Sequence, residues 1–246
     1  MPSPNPEHAE WTQPTALLDL EDTRLRLKAQ SLTQLCHSER ESAVALYAYV
    51  KRLPFSKPLK LGLHTARQVL DRQRGDADDK ATLLVALLRV SGFPARLHYV
   101  GLRGEVLRGL TSSITSIARP VVEVWVAGAW SATDTFIFDA AYIAGARTRL
   151  AAEDRAWGYG IGRDGQMLWA AGADAFLTGD PDGAHEVHMG SFGRYHDPAD
   201  FVHSATCRQQ FGGVTRLLQW NILAAGMEPT VMAVRSQGSG GVAEPA

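Results

Sequence analysis

The apolar pattern along the chain is helical first and strand-like afterwards. Ser38 and Glu41 stand three apart, the spacing of a helix N-cap and its capping-box partner. Val44, Tyr47 and Ala48 follow at helical intervals, as do Leu46, Val50 and Leu53, and Pro54 ends the run. Residues 65–72 read as a short helix. The strongest prediction is a helix over 77–90. Ala81, Leu84, Val85 and Leu88 form one face, and Leu83 and Leu87 widen it. A helix apolar over so much of its surface belongs in the interior. Asp76, Asp78 and Asp79 crowd its start, where negative charge suits the helix dipole, and Ser91-Gly92 followed by Pro94 stops it.

The period then shortens. Residues 97–102 read as a strand. A second covers 120–126, with Val122, Val124 and Val126 on one face, and Gly128 turns the chain into a third over 130–138. Helices followed by antiparallel strands predict an α+β fold. A helix is expected over 140–157. Residues 17–33 read as a strand and a short helix. Residues 158–197, rich in glycine, aspartate and histidine, read as a long irregular region. Asp197-Pro198 starts a short helix, and a further helix over 209–225 is weakened by Gly212-Gly213. The organisation expected is a flexible lead-in over 1–14 and a single domain over 15–235, irregular from about 158. A Gly/Ser-rich disordered tail over 236–246 follows.

Composition narrows the function classes. The net charge is −1, no basic stripe points to nucleic acid, and no acidic tract suggests a charged tail. No apolar run approaches the roughly 20 residues of a membrane span, and the polar N-terminus lacks the apolar core of a secretory signal, so a cytoplasmic location is expected. Cys36 and Cys207 fit no metal-ligand spacing and read as unreactive thiols. His185, His188, His196 and His203 gather near Glu186, but not at zinc-site intervals, so no metal is expected. Gly160, Gly162 and Gly165 fit the letter of a dinucleotide fingerprint without its strand-helix context, so they read as a turn and no cofactor is expected. Trp125, Trp130, Trp157 and Trp169 read as core or cleft aromatics, with Trp157 and Trp169 candidates to line a cleft over the start of the 77–90 helix.

Three phrases in order carry a family resemblance. Gly75-Asp76-Ala77-Asp78-Asp79-Lys80-Ala81 resembles the Gly-Asp-Cys-x-Asp-Lys-Ala signature of bacterial transglutaminase-like proteins. Leu87-Leu88-Arg89-Val90-Ser91-Gly92-Phe93-Pro94-Ala95-Arg96 is similar to the family's Leu-Leu-Arg-Ala-x-Gly-Ile-Pro-Ala-Arg. Glu123-Val124, Gly128, Trp130 and Asp134 resemble the strand pair that follows. The resemblance covers about residues 30–160. It implies a transglutaminase/papain-like core, a central helix packed on an antiparallel sheet, and a Cys-His-Asp triad. In such a triad the helix N-terminus lowers the thiol pKa, histidine shuttles the proton and aspartate orients the ring.

Carried over residue by residue, the resemblance puts the nucleophile at Ala77, the histidine at Arg119 and the aspartate at Asp134. Ala77 has no thiol, and an arginine does not act as a base at neutral pH. One replaced position fits an inactivating Cys-to-Ala change, whereas two fit loss of function. Arg119 beside Asp134 is expected to form an ion pair filling a dead site, or to leave a cationic pocket for a carboxylate or phosphate. His98, on a predicted strand, is a substitute base for a rebuilt hydrolytic site. The function expected is a non-catalytic module that binds a peptide, protein or small amide or acyl ligand. The alternatives are an enzyme acting on amides or peptides through non-standard residues, and an inactivated variant of an active enzyme.

Overall fold

The computed structural model describes residues 6–57, 62–180, 186–211 and 226–239. Its first long helix, α1 (Thr23–Thr33), is capped by Asp22, whose carboxylate accepts the N–H groups of Arg24 and Leu25. The strand expected near its start is instead a turn, because the Thr15 hydroxyl and carbonyl hold the Leu18 N–H. Helix α2 (Glu39–Arg52) begins where Ser38 accepts the Glu41 N–H, but the Glu41 carboxylate reaches back to the His37 N–H, so the capping box is only half made. Helix α3 (Ala66–Arg72) has the complete box, Thr65 with Gln68.

Helix α4 (Ala77–Val90) is the centre of the fold and is buried from Asp79 through Arg89. Asp76 and Asp79 cap it reciprocally, each carboxylate accepting the other's backbone N–H. Lys80 sits among its apolar side chains, fully buried. Its ammonium donates to the carbonyls of Lys51, Leu53 and Ile137, at 3.3, 2.8 and 2.9 Å. Burial drives its pKa well below the ordinary lysine value. These bonds tie the end of α2 to the loop that carries Asp134.

The sheet packed on α4 has the order β3-β2-β1-β6, antiparallel throughout, with strands β1 (Ala95–Arg103), β2 (Ser116–Val126), β3 (Ala129–Thr133) and β6 (His188–Tyr195). The fold is α+β, as the pattern predicts. Ala127 and Gly128 both take positive φ between β2 and β3, the backbone of a tight two-residue hairpin. Strand β3 stops five residues short of the expected end. Thr135 turns back to bond the Thr133 hydroxyl, which leaves Asp134 in a turn at the strand's end. Helix α5 (Ala140–Ala152) is shorter than expected and leads into a small hairpin, β4 (Trp157–Gly158) and β5 (Ile161–Gly162), turning through Tyr159 and Gly160 at positive φ. The glycines at 160–165 belong to this hairpin and the turn after it, as expected.

Three expectations change. Residues 158–197 are not wholly irregular, because β6 pairs along β1; its positive-φ Gly190 and Gly193 hide the alternation that marks a strand. The lead-in is a 3-10 helix, Pro6–Thr12, whose His8 is buried 4.2 Å from the Trp125 ring and 5.2 Å from Trp130. A helix at Glu228–Ser239 runs into the segment expected to be disordered. It crosses α5 so closely that a Cβ on Gly145 would meet the Val234 carbonyl, and one on Gly238 the Ala141 carbonyl. Asp197 caps α6 (Pro198–His203), as expected, and α7 (Ala205–Phe211) covers the start of the helix expected over 209–225, the rest of which lies outside the described residues. Among the described residues no helix is long and apolar enough to cross a membrane.

Candidate active-site cleft

The start of α4 organises the cleft. Asp76 is held at 2.7 Å by the Lys57 ammonium, both side chains buried. Asp78 accepts the Tyr99 hydroxyl at 2.8 Å. Burial, reinforced by the Asp78 charge, keeps that phenol well above its ordinary pKa, so it stays a donor. Asp79 lies 3.1 Å from His64 Nδ1. The three aspartates that crowd the helix start are therefore each engaged, and Ala77 stands in the first turn between them.

Arg119 lies opposite Val100 in the β1–β2 ladder and is buried. Its Nη1 donates to Asp134 Oδ2 at 3.1 Å, and its Nη2 to the Gly160 carbonyl at 2.6 Å. The other Asp134 oxygen accepts the Leu177 N–H at 2.7 Å. Burial pushes the Asp134 carboxyl up, Arg119 and the Leu177 N–H pull it down, and the balance lies above the ordinary value. Lys51 fixes the loop after Asp134 by donating to the carbonyls of Thr135 and Phe138. Burial lowers its pKa to about 8 against the pull of Asp134 and Asp139.

Ala77 and Arg119 line one pocket of about 90 Å³, together with Lys57, Asp76, Asp78 and an apolar wall that includes Leu110, Phe138 and Met227. The structure thus brings Ala77, Arg119 and, through Arg119, Asp134 to one place. The Glu228–Ser239 helix closes one side. Met227 just before it lines the pocket, Glu228 accepts the Lys57 N–H, and Arg235 bonds both Asp139 oxygens and the Phe55 carbonyl. Lys57, Gly160 and Met227 carry no sequence signal for this role, because each arrives from a distant segment.

Other candidates lie elsewhere. His98 does not face Asp134. Its Nε2 lies 2.7 Å from Ser191 Oγ and its Nδ1 3.2 Å from Glu123 Oε1. Trp169 is buried, with its indole N–H on Ser131 and its ring against Tyr47, and Trp157 packs with Leu102 and Val106. Neither lines the pocket, which corrects the cleft expectation for both. His188 approaches Thr178, His196 packs on Trp11, and His203 donates to the Ala199 carbonyl; His185 lies outside the described residues. Among the described residues no cluster has the makings of a metal site. Cys207 is buried, which pushes its thiol pKa up, and Cys36 lies 3.7 Å from the Leu32 carbonyl.

Residues 26–135 match the model of the transglutaminase-like superfamily. This stretch of the chain is similar to a transglutaminase-like core. The matched segment includes Ala77, Arg119 and Asp134, and it covers α4 with β1 to β3. Among solved structures, a "Putative Cysteine Protease from Cytophaga hutchinsonii" shares 16% identity at a TM-score of 0.42. The match covers 51% of this chain and 40% of that one. No curated protein matches the chain. In this transglutaminase-like setting, a methyl group heads α4 and a guanidinium engages the carboxylate at the end of β3.

Proposed function

We propose that the transglutaminase-like cleft is a non-catalytic binding site for the tip of a peptide or acyl ligand. The observation that carries this reading is that Ala77 and Arg119, the latter ion-paired to Asp134, line one pocket. On this reading Ala77, Arg119 and Asp134 occupy the nucleophile, histidine and aspartate positions. Acyl transfer there needs a group that attacks and a group that accepts its proton. A methyl does neither, and a guanidinium bonded to a carboxylate and a carbonyl has no lone pair to offer. The cavity is small beside the roughly 300–1,000 Å³ of pockets that engulf a whole ligand, so it suits one side chain or a short acyl group. Apolar walls favour the alkyl part, while Arg119, with five N–H groups, can donate to an amide or carboxyl oxygen.

The test is NMR titration with N-butyrylglycinamide. Shifts centred on Ala77, Ala118 and Gly160, lost in a pocket-filling Ala77→Leu variant, support the reading. Shifts confined to other surfaces contradict it, as does cleavage of the probe that Ala77→Leu abolishes. A second reading, an enzyme working through non-standard residues, draws on a different observation, the placement of His98.

A further inference from the structure

The face of the sheet opposite α4 carries a second polar cluster. Along β1, Tyr99 points to α4, so the flanking His98 and Val100 point away from it. Ser191 pairs with Val100 across the ladder and Arg96 with Glu123, which brings Ser191, His98 and Glu123 to the same face. His98 and Glu123 are buried, whereas Ser191 is exposed on the edge strand β6. A bulge at Phe192 sends that ring into the core, and Gly190 and Gly193 on either side take positive φ, at 99° and 103°.

The contacts fix the direction of the protons. Glu123 accepts Arg96 Nε at 2.5 Å and Arg194 Nε at 2.9 and 3.2 Å. Burial pushes its carboxyl up, but hydrogen bonds from His98, Arg194 and Arg96 outweigh that and bring it to about 2, so it is ionised at neutral pH. A carboxylate 3.2 Å from Nδ1 selects the tautomer that carries hydrogen there. The lone pair of Nε2 then faces Ser191 Oγ at 2.7 Å. The Gly193 N–H already donates to Oγ at 3.2 Å, leaving the hydroxyl hydrogen to point at Nε2. Carboxylate, imidazole and hydroxyl follow one another in the order that activates a serine.

We propose that Ser191, His98 and Glu123 form a nucleophilic relay that accepts an acyl group from a carboxylic ester. Ser191 Oγ bonds to the ester carbonyl carbon as its proton passes to His98 Nε2. The ester C–O bond breaks, and the departing oxygen takes that proton to leave as the alcohol. Water then attacks the acyl-serine, giving one proton through Nε2 to Ser191 Oγ and releasing the carboxylic acid. Glu123 touches no reacting atom and is a positioning residue. Two guanidiniums share its charge and weaken its support of an imidazolium, which favours esters with good leaving groups over amides. None of the three residues lines the Ala77 pocket, so the relay stands or falls independently of the cleft reading.

The experiment uses the full chain with p-nitrophenyl acetate and an alkyl fluorophosphonate, read by intact mass and peptide mapping. The expected result is one phosphonyl group on Ser191. It is absent in Ser191→Ala, an exposed change that leaves the fold unaltered, and forms about 100-fold more slowly in His98→Asn. Ester hydrolysis falls to the same level in both variants and no further in the double, as for groups acting as a unit. Glu123→Gln lowers kcat without raising KM, and Glu123→Asp restores part of it. Labelling only at other residues, a Ser191 labelling rate indifferent to His98→Asn, or hydrolysis unchanged in Ser191→Ala overturns the proposal. An unchanged kcat in Glu123→Gln removes Glu123 from it.

Discussion

The sheet carries two polar clusters built on similar parts, one at the start of α4 and one beside the edge strand β6. At the start of α4, Arg119 grips Asp134 and lines one pocket with Ala77 and Met227. Beside β6, Arg96 and Arg194 grip Glu123, and His98 lies between that carboxylate and the exposed Ser191 hydroxyl, 3.2 Å from one and 2.7 Å from the other. On our proposal the first cluster occupies the family's triad positions without its base, and the second supplies a base and a nucleophile, His98 and Ser191, at positions the family motif does not mark. What decides chemistry is whether an imidazole stands between carboxylate and nucleophile, and this does not follow from the motif.

Breaking the ion pairs separates the clusters most strongly. Asp134 is fully buried, so Arg119→Met leaves an uncompensated charge and is expected to cost about 3–5 kcal/mol in chemical denaturation. Next comes the wall of the cleft. Arg235→Ala removes the bonds to Asp139 and the Phe55 carbonyl and is expected to cost about 2 kcal/mol, loosening the Glu228–Ser239 helix in hydrogen exchange and leaving Ser191 labelling intact. Arg194→Met is the counterpart of Arg119→Met in the second cluster. That arginine is about half exposed and Glu123 keeps Arg96, so the expected cost is about 0–1 kcal/mol. Equal costs for Arg119→Met and Arg194→Met would erase the contrast between the two clusters.

Acid titration sharpens the same contrast. Glu123 is held down to about 2 from an ordinary 4.5, so the stability it contributes is present above pH 4.5 and is lost as pH falls toward 2. Asp134 shifts the other way. Its folded form takes up a proton above the ordinary 3.8, which relieves the cost of burying its charge as pH falls through that range. Carboxyl ¹³C titrations should show Asp134 protonating first and Glu123 last. The reverse order would place the stronger cationic grip on Asp134.

What was legible in the sequence was local. Helix α4 announced itself because capping aspartates, apolar period and stop signal lie within one stretch, and Ala77, Arg119 and Asp134 stood out by motif spacing. The β2–β3 hairpin was legible from alternation and Gly128. Strand β6 was not, because Gly190 and Gly193 supply no side chains to alternate. The Pro6–Thr12 segment looked flexible because its anchor, His8 against Trp125 and Trp130, is purely tertiary. His98 reads in the sequence as a substitute base to face Asp134, and in the structure its carboxylate neighbour is Glu123. Its partner Ser191 lies 93 residues away and meets it only through the β1–β6 ladder.

We propose that the cleft at the start of α4 keeps the layout of an acyl-transfer site and lacks its reacting groups. The most direct test places Ala77→Cys, alone and with Arg119→His, in a Ser191→Ala background, and follows p-nitrophenyl acetate turnover with mass mapping of the acyl group. The account predicts no acyl-enzyme at position 77 in the background protein, slow acylation without turnover in Ala77→Cys, and acylation with turnover in the double variant. Turnover by Ala77→Cys equal to that of the double variant, or a folded double variant that never acylates, would contradict it.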